Sequence, residues 1–146
     1  RRNTSTVRAT DTVAFQTELL DPRKHQKILE VGTGSGYQTA VLLELGTRVH
    51  TIERQKELYA AAMENLKPLG YKASFYYGDG YEGVPSFAPF DRILVTAGAT
   101  EVPKKLREQL AIGGRMVIPV GDKFGQKMIL LVRTITLVSV TRKSCI

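Results

Sequence analysis

A glycine-rich turn set between a strand pattern and a helix pattern constrains this 146-residue chain more than any other feature. Lys27 to Val31 reads as a strand and leads into Glu30-Val31-Gly32-Thr33-Gly34-Ser35-Gly36. Tyr37 to Leu45 then places apolar residues at helical spacing and stops at Gly46. Glycines at such a junction let the chain turn tightly and let a ligand approach the backbone without interference from Cβ. The helix that follows adds free N–H groups at its first turn. A strand entering a helix through this turn opens a βαβ unit.

The rest of the chain repeats that alternation. Arg48 to Ile52 and Ala73 to Tyr77 read as the second and third strands, separated by an amphipathic helix from Gln55 to Leu66 that Pro68 and Gly70 close. Arg92 to Thr96 is the fourth strand. Thr100 suits an N-cap, with Pro103 in the first turn of a helix running to about Leu110. Gly113-Gly114 would end that unit before a fifth strand from Arg115 to Val120. Beyond a turn region at Gly121 to Gly125, Lys127 to Arg133 and Ile135 to Val140 form the expected terminal hairpin. Thr12 to Leu20 is expected to be a helix packed against the sheet edge, whereas residues 1–11 show no periodicity. The expected fold is α/β, a doubly wound, mostly parallel sheet with a terminal β-hairpin, in a single domain over residues 1–146.

Composition narrows the partners. The formal charge is +7, but the cations are dispersed as pairs such as Arg23-Lys24, Lys104-Lys105 and Arg142-Lys143. That pattern favours a solvated surface over a nucleic-acid groove. No apolar run reaches the roughly 18 residues of a membrane span, and Arg1 to Thr6 lacks the apolar stretch of a secretory signal. Cys145 is the single cysteine, and no His/Cys cluster has metal-ligand spacing. The expectation is a cytoplasmic, metal-free monomer without membrane or nucleic-acid partners.

The ligand chemistry follows from the acidic residues. A dinucleotide would use the same fold, but the spacing here is G-x-G-x-G, without the G-x-G-x-x-G that seats a pyrophosphate. Glu30 also precedes the turn, where a carboxylate would repel a pyrophosphate and attract a cation, directly or through water. S-adenosyl-L-methionine carries an ammonium and a sulfonium and no phosphate, so the electrostatics favour it. Glu53 ends the second strand about 20 residues after the glycine turn, where a carboxylate takes ribose hydroxyls. Asp79, in Tyr77-Gly78-Asp79-Gly80, is placed to accept from an adenine amino group. Each also has a structural reading: Glu30 as a cap of the next helix, Glu53 as a surface charge before Arg54, Asp79 as an ordinary Asp-Gly turn. Together they describe one crevice at the carboxyl ends of successive strands.

Other reactive groups are few. His25 and His50 lack sequence-near partners and read as structural, and Gly34-Ser35-Gly36 lacks the flanks of a nucleophile elbow. Methyl transfer tolerates this. The sulfonium supplies the electrophile, a carboxylate acceptor is already ionised near neutral pH, and the protein mainly aligns the reactants.

From about Val13 to Gly121 the sequence resembles the protein-L-isoaspartate O-methyltransferases. The carriers are the Val13 to Leu20 segment, Leu29 to Ala40, Gly78-Asp79-Gly80, Pro89 to Ala99 with its Thr-Ala-Gly-Ala end, and Gly113 to Gly121 with its Ile-Pro-Val-Gly end. The resemblance implies a Rossmann-like class I S-adenosylmethionine-dependent methyltransferase fold. It also implies methylation of the α-carboxylate of L-isoaspartyl residues in damaged proteins and peptides, whose methyl ester closes to a succinimide on the way to repair. Carried over, Glu30, Val31, Gly32, Thr33, Gly34 and Gly36 would line the methionine end of the cofactor. Glu53 with Arg54 would hold the ribose, Asp79 with Gly80 the adenine, and Thr96, Ala97, Gly98 and Ala99 would border the acceptor.

The match departs at both ends. Members of the family usually begin with a helical segment that is missing here, and carry a Thr-Ile-Ser-Gln-Pro stretch whose serine sits at the active site. Ungapped alignment sets Thr6-Val7-Arg8-Ala9-Thr10 there, so Thr6 and Arg8 become the candidate catalytic positions. One account is a form that binds cofactor but encloses substrate poorly and turns over slowly. The other has Arg8 replace the serine by pairing with the acceptor carboxylate. The first is the favoured expectation. A methyltransferase acting on RNA or a small molecule remains the alternative.

Overall fold

A seven-stranded sheet in the order β3-β2-β1-β4-β5-β6-β7 carries the fold of this computed structural model, which describes residues 9–135 and 138–144. The strands are β1 (Lys27–Val31), β2 (Arg48–Glu53), β3 (Ser74–Tyr77), β4 (Phe90–Val95), β5 (Leu110–Asp122), β6 (Gly125–Arg133) and β7 (Val138–Ser144). The helices are α1 (Ala9–Leu20), α2 (Tyr37–Glu44), α3 (Lys56–Leu66) and α4 (Lys104–Glu108). β1 through β5 pair in parallel, and β6 and β7 add antiparallel to the β5 edge.

Burial on both faces accounts for the adjacent apolar residues Ile28-Leu29 in β1 and Ile93-Leu94-Val95 in β4. Alternate residues serve two cores. Leu29, Val31, Ile93, Val95, Met116 and Ile118 pack on the side of α4 with Val84, Phe90 and Leu106. Ile28, Val49, Leu94 and Val117 pack on the other side with Leu20 and Leu42, from α1 and α2. Doubly wound parallel architecture is therefore observed, and the terminal hairpin with it. Among the described residues no helix is long and apolar enough to cross a membrane, and no His, Cys, Asp or Glu cluster could hold a metal ion.

Several local expectations are corrected. α1 begins at Ala9, and it lies against β4 and β5 in the middle of the sheet instead of at its edge. Its position is set by two arginines: Arg92 Nε donates to the Leu20 carbonyl at 2.8 Å, and Arg115 Nη1 donates to the Leu19 carbonyl at 3.1 Å. These guanidinium groups satisfy carbonyls that a helix C-terminus leaves unpaired and complement its dipole. Arg92→Leu should therefore lower the unfolding free energy by about 2 kcal/mol, measured by urea denaturation, because the apolar stem survives while the buried carbonyls lose their donor. An unchanged midpoint would show that α1 is held by its apolar face alone.

The residue capping α4 is Pro103, not Thr100, and the helix stops at Glu108. β5 starts at Leu110, which pairs with Phe90, so Gly113-Gly114 lies within the strand instead of closing the preceding unit. The register shifts between the Phe90–Leu110 and Arg92–Arg115 pairs, and the two glycines occupy this bulge. Gly113 has φ 82, and a Cβ at Gly114 would lie 2.8 Å from the Ala111 carbonyl and 2.9 Å from that of Asp91. The last strand is Val138–Ser144, displaced from the expected Ile135 to Val140.

Candidate functional site

The carboxyl ends of the parallel strands open into a cleft of about 850 Å³. Its wall is built at the glycine turn. Gly32 donates its N–H to the Ile52 carbonyl at 2.8 Å and adopts φ 98. A Cβ there would lie 2.3 Å from Thr96 Oγ1, so only glycine fits where β1 passes the end of β4. The Thr96 hydroxyl is already committed, lying 3.1 Å from the carbonyls of both Val31 and Gly32. Thr96 thus pins the turn to the neighbouring strand.

Two carboxylates face this wall. Glu53 ends β2 and is almost fully buried; its Oε1 accepts from the Gly34 N–H at 2.9 Å and its Oε2 from the Gln55 N–H at 3.0 Å. Asp79 follows β3 and accepts from the Tyr81 N–H at 3.0 Å. Each carboxylate retains lone pairs beyond these bonds, since an ionised carboxylate offers about four acceptor sites. Val31, Ile52, Leu58 and Tyr77 supply apolar surface between them. Gly80 sits beneath: a Cβ would come within 2.3 Å of Val31 Cγ1.

Of the residues singled out from sequence, the cleft is lined by Val31, Gly32, Gly34, Glu53, Arg54, Asp79, Gly80, Thr96, Ala97 and Gly98. Glu30, Thr33, Gly36 and Ala99 are not on its wall. Ala99 is buried and pinned to β5 by its N–H to the Pro119 carbonyl at 3.0 Å. Gly36 has φ 92 and abuts Leu66, while Thr33 Oγ1 lies 2.6 Å from Thr51 Oγ1. Thr6 and Arg8 lie outside the described residues.

Glu30 is the main electrostatic correction. Its carboxyl is wholly buried below the turn, where Thr39 and Thr51 donate to Oε1 while Oε2 has no partner among the described residues. With both Oε1 bonds directed inward from Thr51 and Thr39, the Thr33 hydroxyl is left to donate to Thr51. Burial pushes the Glu30 pKa up to about 7; the two threonine bonds oppose this and the nearby Glu53 reinforces it. The carboxylates in contact with the cleft are therefore Glu53 and Asp79, and Glu30 supports the turn from below.

Sequence reasoning passed over Ile52, Gln55, Leu58, Tyr77, Gly78 and Tyr81, all of which line the cleft. Tyr77 and Gly78 were recoverable, since they stand at the carboxyl end of β3; Leu58 and Tyr81 project from the elements that follow. His50 lies elsewhere, its Nδ1 2.9 Å from the Tyr76 hydroxyl and its ring packed among Tyr76, Phe87 and Phe90. A shallower groove of about 390 Å³ between α1 and α2 stands apart from the glycine turn.

This arrangement can hold a nucleoside without phosphate contacts. The sequence profile of the protein-L-isoaspartate(D-aspartate) O-methyltransferase family matches residues 2–145. A protein-L-isoaspartate O-methyltransferase of Christiangramia forsetii is 58% identical over 123 residues, covering 84% of this chain and 57% of that protein. One of Methanopyrus kandleri is 53% identical over 134 residues, covering 88% and 59%. The chain thus spans less than two thirds of the length of these relatives. Among solved structures, a protein-L-isoaspartate O-methyltransferase superposes with a TM-score of 0.87 at 31% identity, covering 99% of this chain and 48% of its own. A Plasmodium falciparum protein of the same description, solved with S-adenosyl-L-homocysteine, shares the fold with a TM-score of 0.74 at 23% identity, covering 97% and 73%.

Proposed function

The chain belongs to the protein-L-isoaspartate(D-aspartate) O-methyltransferase family, and from that premise we propose that its cleft binds S-adenosyl-L-methionine and directs the methyl group to the α-carboxylate of L-isoaspartyl residues in damaged proteins and peptides. The observation that carries this reading is the convergence of Glu53, Asp79 and the backbone of Gly34 on one cleft that continues to Thr96–Gly98. The residues present fit the cofactor. Glu53 already accepts two main-chain N–H groups and keeps lone pairs for ribose hydroxyls; Asp79 has an oxygen left for an adenine amino group; no Cβ at Gly34 would meet another atom within 4 Å. Arg54 is exposed beside Glu53 and borders the ribose side.

The bound cofactor supplies an electrophilic methyl group on its sulfonium. The chain's part is alignment and exclusion of water. A carboxylate acceptor has an ordinary pKa near 4 and needs no proton removed at neutral pH, which suits a cleft wall without His, Cys or Lys among the described residues. Thr96 is no candidate base, because its hydroxyl serves the Val31 and Gly32 carbonyls. Small side chains at Ala97 and Gly98 leave room for a peptide backbone. On sequence grounds Thr6 and Arg8 are the candidate catalytic positions; poor enclosure of the acceptor is the favoured reading of the departure there, and Arg8 pairing with the acceptor carboxylate is its alternative. We read the 146 residues as one domain, a cytoplasmic monomer whose partners are isoaspartyl proteins and peptides.

Incubation of the chain with methyl-labelled S-adenosylmethionine and an isoaspartyl peptide should yield base-labile methyl ester, and the aspartyl peptide of the same sequence should yield none. Calorimetric binding of S-adenosylhomocysteine with no ester formed would remove the activity and leave the cofactor site. Absence of both would remove the proposal.

A further inference from the structure

We propose that Gln126 is a peptide-binding residue that hydrogen-bonds the main chain of the acceptor, an inference resting on the isoaspartyl-methyltransferase reading above. Gln126 is the second residue of β6 and forms with Gly121 the penultimate pair before the β5–β6 turn. Its carboxamide is laid over Gly98 at the acceptor end of the cleft: a Cβ on residue 98 would fall 1.9 Å from Nε2 and 2.9 Å from Cδ. A side chain at residue 98 would push the Gln126 carboxamide aside, so glycine there leaves the carboxamide this position over the cleft.

The main chain on either side of this contact is held in place. Ala99 N–H donates to the Pro119 carbonyl at 3.0 Å, Gly121 N–H donates to the Ala99 carbonyl at 2.9 Å, and Tyr81 Oη donates to the Gly98 carbonyl at 3.1 Å. The hairpin leaves no room for a side chain at Gly121, where a Cβ would lie 2.1 Å from the Gly125 carbonyl oxygen. A rigid hairpin therefore presents an exposed carboxamide that makes no hydrogen bond to the described residues. A carboxamide offers a donor and an acceptor side by side, the complement of a peptide unit. Being uncharged, it neither attracts nor repels the reacting carboxylate. It reads the backbone flanking the acceptor and leaves side-chain identity unread, which suits substrates that share a damaged linkage and no common sequence.

The test is calorimetry on the chain saturated with S-adenosylhomocysteine and titrated with an isoaspartyl hexapeptide. Gln126→Ala should weaken peptide binding about tenfold, the loss of roughly one hydrogen bond, with S-adenosylhomocysteine affinity unchanged. Gln126→Glu should weaken it further by placing a carboxylate beside the acceptor's own, and Gly98→Ala should reproduce the Gln126→Ala loss by displacing the carboxamide. Peptide affinity within twofold of the parent for Gln126→Ala and Gln126→Glu overturns the inference and leaves the proposed function standing. So does a matching loss of S-adenosylhomocysteine affinity in Gln126→Ala, which would mark general damage to the site. A parent chain that binds S-adenosylhomocysteine and no isoaspartyl peptide overturns both.

Discussion

Replacing Glu53 with alanine is expected to weaken S-adenosylhomocysteine binding about 100-fold, close to 2.7 kcal/mol. Two effects combine. In the proposed site the ribose hydroxyls would lose their acceptor, and the main-chain N–H groups of Gly34 and Gln55 lose the carboxylate oxygens that now hold them at 2.9 and 3.0 Å. Since Gly34 is the open point of the glycine turn, its reorientation also reaches the part of the cleft assigned to the methionine end. Glu53→Gln separates the two contributions. It keeps one amide oxygen for Gly34 and sets an NH₂ against the Gln55 N–H, so an intermediate loss of about tenfold is expected. Calorimetric titration at constant pH reads both variants. Affinity within twofold of the parent in Glu53→Ala would place the nucleoside elsewhere.

The second large effect is on stability, through Glu30. Its carboxyl has a pKa near 7 in the folded protein against an ordinary value of 4.5. Between those values the folded chain retains a proton that the unfolded chain has released, so unfolding is favoured progressively as pH rises. The stabilisation from this group is complete below pH 4.5 and is lost by about pH 7, a total of about 3 kcal/mol for a shift of this size. Glu30→Gln keeps an oxygen for Thr39 and Thr51 and cannot ionise. Measured by urea unfolding across pH 4.5 to 8, its stability relative to the parent should climb by about 3 kcal/mol. Parallel pH profiles would mean that Glu30 is solvated in a way its burial excludes. At the site itself, this carboxyl then matters through the Thr33–Thr51–Glu30–Thr39 chain of hydrogen bonds and not by direct contact with a ligand.

The glycine turn and the two carboxylates at the carboxyl ends of β2 and β3 were legible because they depend on chain order. In a parallel sheet the carboxyl end of every strand lies on one edge, so Glu53 and Asp79 share a crevice wherever their strands pair. The bulge at Gly113-Gly114 was not legible. A glycine pair reads as a terminator until the carbonyls of Asp91 and Ala111 are seen crowding it. Thr100 likewise has the chemistry of a cap, but Pro103 precedes the first helical residue, Lys104, three positions later. Ile135 to Val140 and Val138–Ser144 overlap in composition, and pairing with β6 selects the second.

Local order along the chain was thus sufficient for the parallel α/β architecture, for the glycine turn and for the acidic residues at the carboxyl ends of two of its strands. Tertiary packing alone decided that α1 lies over β4 and β5, that Glu30 is sealed beneath the turn, and that Gln126 reaches Gly98 across 28 positions of sequence. Periodicity records which residues face inward, whereas burial depth and the identity of a side chain's neighbours depend on which distant strands the sheet brings together.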